Sequence, residues 1–379
     1  MKLYDTYVEL QIGEYWKKFY YIWLRDNCRC KNCYSAFFNQ RINLVFNVPL
    51  DIKPSSCEIL DEKLIIIWED GHRSKYSVTW LDTIEFEYKP KLKTYLWDQN
   101  TVRNLHGVVI PADAYFNDSN SVKALAGNIL KYGFGIVSGV KNVPDATEKV
   151  VKHFSHIHKT NFGEMWRVQT NSNCNDTSST NVGLLPHNDN TYFTNPAGLQ
   201  VFHLLEHTGE GGNTILVDGF QIANIVKNKN PEAYKILCSV PVESHFIDND
   251  YHFMCTEPIL KVHPVTKEIH QVRLATTNTN LKPDLSFFFR FNIYDRSPLT
   301  SVKDEDILKF YEALFLFGKE VDNPKNQYLL KLQSDQVIFI DNWRVMHGRT
   351  EYTGSRDLAG CYVSRDNFIS SAKKLYPEL

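Results

Sequence analysis

Pro186-His187-Asn188-Asp189 places an imidazole and a carboxylate two residues apart. In an extended chain, residues at that spacing project from one face, so both side chains can bind a single metal ion. His-x-Asp alone is a weak pattern, and two ligands do not make a site. A third is offered far along the chain by Ile340-Asp341-Asn342-Trp343-Arg344-Val345-Met346-His347-Gly348-Arg349, where His347 follows a strong strand signal. Two histidines and one carboxylate form the facial set that leaves positions open on non-haem Fe(II), where oxygen and a co-substrate bind. Arg356 lies nine residues beyond His347, and Thr214 closes the run Gly211-Gly212-Asn213-Thr214. A guanidinium and a hydroxyl can hold a carboxylate, the guanidinium bidentately, and a dicarboxylate co-substrate needs such an anchor opposite the metal. The bland reading of Arg356 is a surface ion pair.

A second cluster is made of thiols. Cys28-x-Cys30-x-x-Cys33 supplies three soft ligands, while the other five of the eight cysteines are scattered, a pattern that suits metal binding better than a disulfide framework. Tetrahedral zinc wants a fourth ligand, and both His72, at the Asp70-Gly71 turn, and Cys57 are candidates. No coordination position is left open there, so the role is structural, and closing such a site adds folding free energy to a small domain. The remaining histidines, among them His153, His156, His158, His203 and His207, are read as core or surface residues.

The elements that must carry these groups follow from the patterning. With 379 residues the chain is long enough for two or three domains of roughly 150 residues each. Hydrophobic residues at 43% and charged residues at 23% argue against wholesale disorder and against a coiled coil. Lys+Arg 42 against Asp+Glu 44, without a long charge run, leaves no electrostatic footprint for nucleic acid. No apolar stretch approaches the ~20 residues that span a bilayer, and Met1 to Tyr15, with Asp5, Glu9 and Glu14, shows neither a signal nor a transit peptide. Neither nucleic acid nor membrane is an expected partner.

Residues 1–88 read as a small β-rich unit, with strand-prone segments at Tyr4 to Leu10 and Tyr20 to Trp23 and an Asp-Gly hairpin joining Leu64–Trp68 to Arg73–Trp80. A linker is expected over 89–107, followed by a larger domain over 108–379. Val122 to Tyr132, Pro231 to Cys238 and Asp304 to Glu320 read as helices. Leu199–Leu205, Thr214–Val217, Ser286–Phe291 and Gln336–Ile340 read as strands. Many short strands with few helices predict a mainly β domain, a jelly roll decorated by helices.

Trp23-Leu24-Arg25-Asp26-Asn27-Cys28, His187-Asn188-Asp189, Leu216-Val217-Asp218-Gly219-Phe220 and Ile340 to Arg349 together resemble the carnitine-biosynthesis dioxygenases, the family of trimethyllysine and γ-butyrobetaine dioxygenases. The resemblance runs in order and spacing from about residue 20 to about residue 375. It implies a double-stranded β-helix oxygenase using Fe(II), 2-oxoglutarate and O2, with ascorbate keeping the iron reduced. His187, Asp189 and His347 match the family's iron ligands, Arg356 matches the partner of the distal 2-oxoglutarate carboxylate, and Thr214 sits where a hydroxyl assists it. The resemblance favours His72 as the fourth zinc ligand and implies a homodimer that the zinc domain helps to form.

A quaternary ammonium has no N–H to donate, so proteins surround it with aromatic faces. Phe162, Trp166 and Tyr362 match the family's trimethylammonium cage, whereas Ser179 stands where the family usually has a further tyrosine. Asp176 matches trimethyllysine dioxygenase, where the γ-butyrobetaine enzyme has Asn; a carboxylate suits the α-ammonium that only trimethyllysine carries. Asn292 matches a contact to the substrate carboxylate in one alignment. An alternative alignment puts Arg273 in place of Arg290, and Ala275 to Leu285 reads as an insertion. The implied reaction is hydroxylation of N6,N6,N6-trimethyllysine at C3, the first step towards carnitine; the rivals are γ-butyrobetaine hydroxylation and a non-catalytic member of the fold. The implied compartment is the mitochondrial matrix, with the cytoplasm as the alternative.

Overall fold

The computed structural model describes residues 1–86, 94–170, 180–247, 250–273 and 296–377. The chain divides into two compact units, Met1–Tyr88 and Lys89–Leu379.

In the smaller unit, Tyr7–Ile12 and Tyr15–Tyr20 form an antiparallel hairpin turned at Gly13, and Pro54–Leu60, Lys63–Trp68 and Arg73–Ser77 form a second antiparallel sheet. Gly71 turns the last hairpin at a φ of 76°, which an L side chain rarely adopts. Two expectations are corrected. The strand ends at Tyr20 and Tyr21–Asp26 is a helix, because Tyr21, Leu24 and Arg25 bury one helical face, a packing gain that overrides the strand preference of aromatic residues. The returning strand stops at Ser77, and Trp80 lies in the helix Val78–Asp82, where its ring stacks on Trp23. Val8, Phe19, Leu24, Leu64, Ile66, Trp68 and Tyr76 make the core.

The larger unit is a jelly roll with flanking helices. Its six-stranded sheet runs in the order Trp166–Gln169, Arg356–Val363, Leu199–His207, Val337–Asp341, Phe134–Ser138, Val109–Pro111. Its four-stranded sheet runs Leu184–His187, Val345–Arg349, Thr214–Asp218, Gln327–Leu330. All these pairs are antiparallel except Phe134–Ser138 with Val109–Pro111. Side chains alternate as the pleat requires. Ile338, Ile340, Leu204 and Leu358 of the larger sheet meet Leu216 and Val345 of the smaller one in a shared core. The outward Val337, Phe339, Leu199, Val201 and Val363 pack with residues of the helices Ser119–Tyr132, Pro144–Phe154 and Arg365–Leu375. Ile215, Val217 and Met346 pack with Gly219–Lys229, Pro231–Ser239 and Ile307–Asp322. The stretch expected as a linker carries a helix at Gln99–Val102, capped by Asp98, and Trp97, whose buried ring packs edge-on against Phe134. Residues 286–291 lie outside the described residues. No described helix is long and apolar enough to cross a membrane.

One buried ion pair ties this unit together. Arg344, in the turn after Val337–Asp341, donates from Nε and Nη2 to the two carboxylate oxygens of Asp218 at 3.0 and 2.8 Å. Its remaining donors reach the carbonyls of Lys131 and Tyr95, while Asp218 also accepts from the backbone N–H groups of Trp97 and Phe220. Each guanidinium nitrogen and both carboxylate oxygens have partners, which is the condition under which a buried pair is tolerated. Replacing Arg344 by Met strands the carboxylate; the expected loss is about 3–5 kcal/mol, measured as a lower urea midpoint, and a loss below ~1 kcal/mol would contradict this role.

Candidate active site

The strand Leu184–His187 lies antiparallel to Val345–Arg349 with His187 directly opposite His347. Their imidazole centroids are 4.6 Å apart. Asp189 follows two residues on, and the chain then turns away through Asn190, at a φ of 58°. Asp189 Oδ1 stands 3.4 Å from His187 Nε2 and 3.7 Å from His347 Nε2, and the three ligand atoms lie within 4.8 Å of one another. His187 Nδ1 donates to the Leu185 carbonyl at 2.7 Å, which leaves the Nε2 lone pair facing the cluster. Tyr362 donates its hydroxyl to Asp189 Oδ2 at 2.8 Å, leaving Oδ1 for a metal. Burial, and then the neighbouring His187, push the His347 imidazole down to about 3, so it is neutral. Burial opposes ionisation of Asp189, but the adjoining His187, then His347, and the Tyr362 hydroxyl outweigh it and hold the carboxyl well below the usual range. Two imidazoles and one carboxylate fit a divalent cation with open positions.

Asn342 locks this geometry. Its Oδ1 accepts from the Asp189 N–H at 2.9 Å and its Nδ2 donates to the Asp189 carbonyl at 3.0 Å and to that of Ala197 at 3.1 Å. Asn188 donates in turn to the Asn342 carbonyl at 2.8 Å. Neither asparagine was singled out from sequence, although both stand inside the quoted segments; buried polar residues beside ligand positions are the signal that was available.

Along Arg356–Val363, Arg356, Leu358, Gly360 and Tyr362 share the interior face. Arg356 is 8% exposed, no carboxylate pairs with it among the described residues, and its Nε is buried without a hydrogen bond. Burial, and next the neighbouring guanidinium of Arg349, lower it to about 10, so it stays charged at neutral pH. Thr214 lies on the adjacent part of the smaller sheet, directly opposite Arg349. A buried cation without a counter-charge, beside a second one, fits an incoming carboxylate.

Trp166 pairs across the sheet with Gly360, and its ring centroid is 6.0 Å from that of Tyr362. Phe162 makes its ring contact with Phe246, at 5.8 Å; Phe246 stacks on Tyr192 at 5.1 Å. The structure thus joins Trp166 to Tyr362 and adds Tyr192 and Phe246, which sequence reasoning missed, beside Phe162. Asp176, Ser179 and Asn292 lie outside the described residues.

In the smaller unit, His72 Nε2 stands 3.3, 3.6 and 3.5 Å from the Sγ atoms of Cys28, Cys30 and Cys33. Thiolate and imidazole ligands on a tetrahedral zinc ion stand about 3.6 Å apart, so the four atoms fit one ion. Cys57, the alternative fourth ligand, contacts Met1 instead and is outside the cluster. Arg25 reaches Cys33 Sγ and pairs with Asp70, which accepts from the His72 N–H.

A Cβ on Gly360 would lie 2.1 Å from Trp166 Cη2. Gly360→Ala therefore displaces the indole and, because the same Cβ would lie 2.5 Å from the Val201 carbonyl oxygen, strains the pairing of Arg356–Val363 with Leu199–His207; the expected result is a loss of about 1–3 kcal/mol, measured as a lower urea midpoint, with a changed tryptophan fluorescence.

Residues 96–362 match the profile described as taurine catabolism dioxygenase TauD, TfdA family, and residues 8–82 match that described as gamma-butyrobetaine hydroxylase-like, N-terminal. The chain is 34% identical over 378 residues to "Trimethyllysine dioxygenase, mitochondrial" of Mus musculus, covering 98% of this chain and 86% of that protein. It is 33% identical over 375 residues to "Trimethyllysine dioxygenase" of Meyerozyma guilliermondii, covering 93% and 89%. "Gamma-butyrobetaine dioxygenase" of Pseudomonas sp. is 28% identical over 359 residues, covering 93% and 89%. A profile match across most of the chain, and relatives above 30% identity over nearly all of it, show that the chain belongs to the TauD, TfdA dioxygenase family, on its trimethyllysine dioxygenase branch.

Proposed function

We propose that this chain is an Fe(II)- and 2-oxoglutarate-dependent dioxygenase that hydroxylates N6,N6,N6-trimethyllysine at C3. The observation that carries the reading is the meeting of His187 Nε2, His347 Nε2 and Asp189 Oδ1 in the same domain as the buried guanidinium of Arg356, which no carboxylate pairs with among the described residues. When bound, ferrous iron with 2-oxoglutarate and O2 supplies the oxidation: the keto acid leaves as succinate and CO2, and one oxygen atom enters the C–H bond of the substrate.

The chain's own residues do the positioning. His187 and His347 hold the metal as neutral imidazoles, Asp189 as a carboxylate whose second oxygen is held by the Tyr362 O–H. Arg356, with Thr214 nearby, takes the distal carboxylate of 2-oxoglutarate. Trp166, Tyr362 and Phe162 present aromatic faces to the trimethylammonium group, Asp176 takes the α-ammonium and Asn292 the substrate carboxylate. Ascorbate keeps the iron ferrous between turnovers. Identity to the mouse relative named for trimethyllysine, at 34%, is higher than to the Pseudomonas relative named for γ-butyrobetaine, at 28%, which favours the former substrate. The names of the vertebrate relatives support the mitochondrial matrix as its compartment. Cys28, Cys30, Cys33 and His72 hold a structural zinc ion, and the exposed Phe37, Phe38, Phe46 and Leu50 of the same unit support a homodimer interface.

Purified protein given iron, ascorbate and 2-oxoglutarate is expected to convert trimethyllysine to its 3-hydroxy product in step with succinate; turnover of γ-butyrobetaine alone would overturn the substrate choice. Asp176→Asn is expected to weaken trimethyllysine turnover far more than uncoupled 2-oxoglutarate decay, and equal losses would contradict the α-ammonium role. Cys30→Ser is expected to remove zinc, read by atomic absorption, and to cost the smaller unit roughly 3 kcal/mol or more while iron affinity survives. Loss of iron with zinc retained would exclude the two-site assignment.

A further inference from the structure

Arg273 is a buried cation that the proposed reaction has not used. Arg273 is 8% exposed, and Glu257, an acid whose charge acts on it, is engaged with Lys261 at 3.0 Å. Nη2 donates to the carbonyls of Thr191 and Phe193 at 2.5 and 2.8 Å and reaches Cys255 Sγ at 3.2 Å. Nη1 is buried and makes no hydrogen bond. No carboxylate pairs with Arg273 among the described residues. Arg344 shows the contrast: its buried guanidinium meets a carboxylate and two carbonyls. Burying a guanidinium among neutral groups is costly unless an anion arrives.

Its position says which anion. The two carbonyls flank Tyr192, on the segment that follows Asp189 directly, and two residues of extended chain reach at most about 7 Å. Tyr192 stacks on Phe246, and Phe246 meets Phe162 edge-on. The guanidinium therefore lies against the backbone of the segment that carries Tyr192, next along the chain from the candidate ligand Asp189. We propose that Arg273 binds the carboxylate of the amino-acid substrate through Nη1, fixing the end remote from its trimethylammonium group. The inference rests on reading the site as one for a trimethylammonium amino acid. Aromatic faces hold a quaternary ammonium with little directional preference, so a substrate anchored only there pivots; a second, charge-assisted anchor decides which C–H is presented to the metal. In trimethyllysine, C3 is separated from the carboxylate carbon by C2 alone, so the anchor acts close to the reacting bond. Trimethyllysine inside a peptide chain has no free carboxylate and is disfavoured.

The test compares trimethyllysine with its carboxamide, using the full chain with iron, ascorbate and 2-oxoglutarate, in wild type, R273Q and R273K. Wild type is expected to favour the acid in kcat/KM by about tenfold or more. In R273Q that ratio falls to near one through a raised KM for the acid; R273K, the safeguard should R273Q fail to fold, keeps only part of the preference. Equal losses on acid and amide would overturn the proposal and leave Arg273 a support for the Thr191–Phe193 segment. A rise confined to the KM for 2-oxoglutarate would also overturn it, by assigning the guanidinium to the co-substrate. Should the wild type use γ-butyrobetaine alone, the substrate reading fails by itself, and the same acid–amide comparison on γ-butyrobetaine decides Arg273.

Discussion

The register between Leu184–His187 and Val345–Arg349 is the constraint on which the site depends. It sets His187 opposite His347, and a slip of one residue would turn His347 to the outer face, where Met346 packs among the helices. Gly348 permits the close approach: a Cβ there would lie 2.5 Å from the Leu184 carbonyl oxygen. Asn342 then pairs with both backbone groups of Asp189, in the manner of one more rung of a ladder, and Tyr362 holds the far oxygen of the carboxylate. Strand pairing, side-chain amide and hydroxyl all fix the same three atoms.

Buried arginines divide by how completely they are satisfied. Arg344 has a partner for each nitrogen and welds the turn before His347 to Asp218. Arg356 and Arg273 each keep a buried nitrogen with no hydrogen bond. Among the described residues no carboxylate offsets these two cations, in contrast to Arg344 with Asp218.

Much of this was legible from spacing. His187 and Asp189 lie two apart, His347 follows a β-branched run, and the three cysteines crowd together; such patterns survive any detail of packing, whereas His72, remote in the chain, was preferred to Cys57 only through the resemblance. The helix at Tyr21–Asp26 was not legible, because Tyr21 and Leu24 choose a helix only when a core is present to receive one face. Trp97 read as part of a linker because the surrounding lysines and Pro90 hide a single buried indole. Asn342 and Tyr192 escaped notice for a different reason: their roles are contacts to residues remote in the chain, and no local period announces them.

The Asp189–Asn342 pairing joins residues 153 apart. Neither a fragment ending before Val345 nor one beginning after His187 contains the means to assemble the centre, so it comes into being only when the whole barrel has closed. Contacts of such long range form late and slowly. A chain that stops short of Val345 therefore holds only His187 and Asp189 of the three groups that meet at this centre.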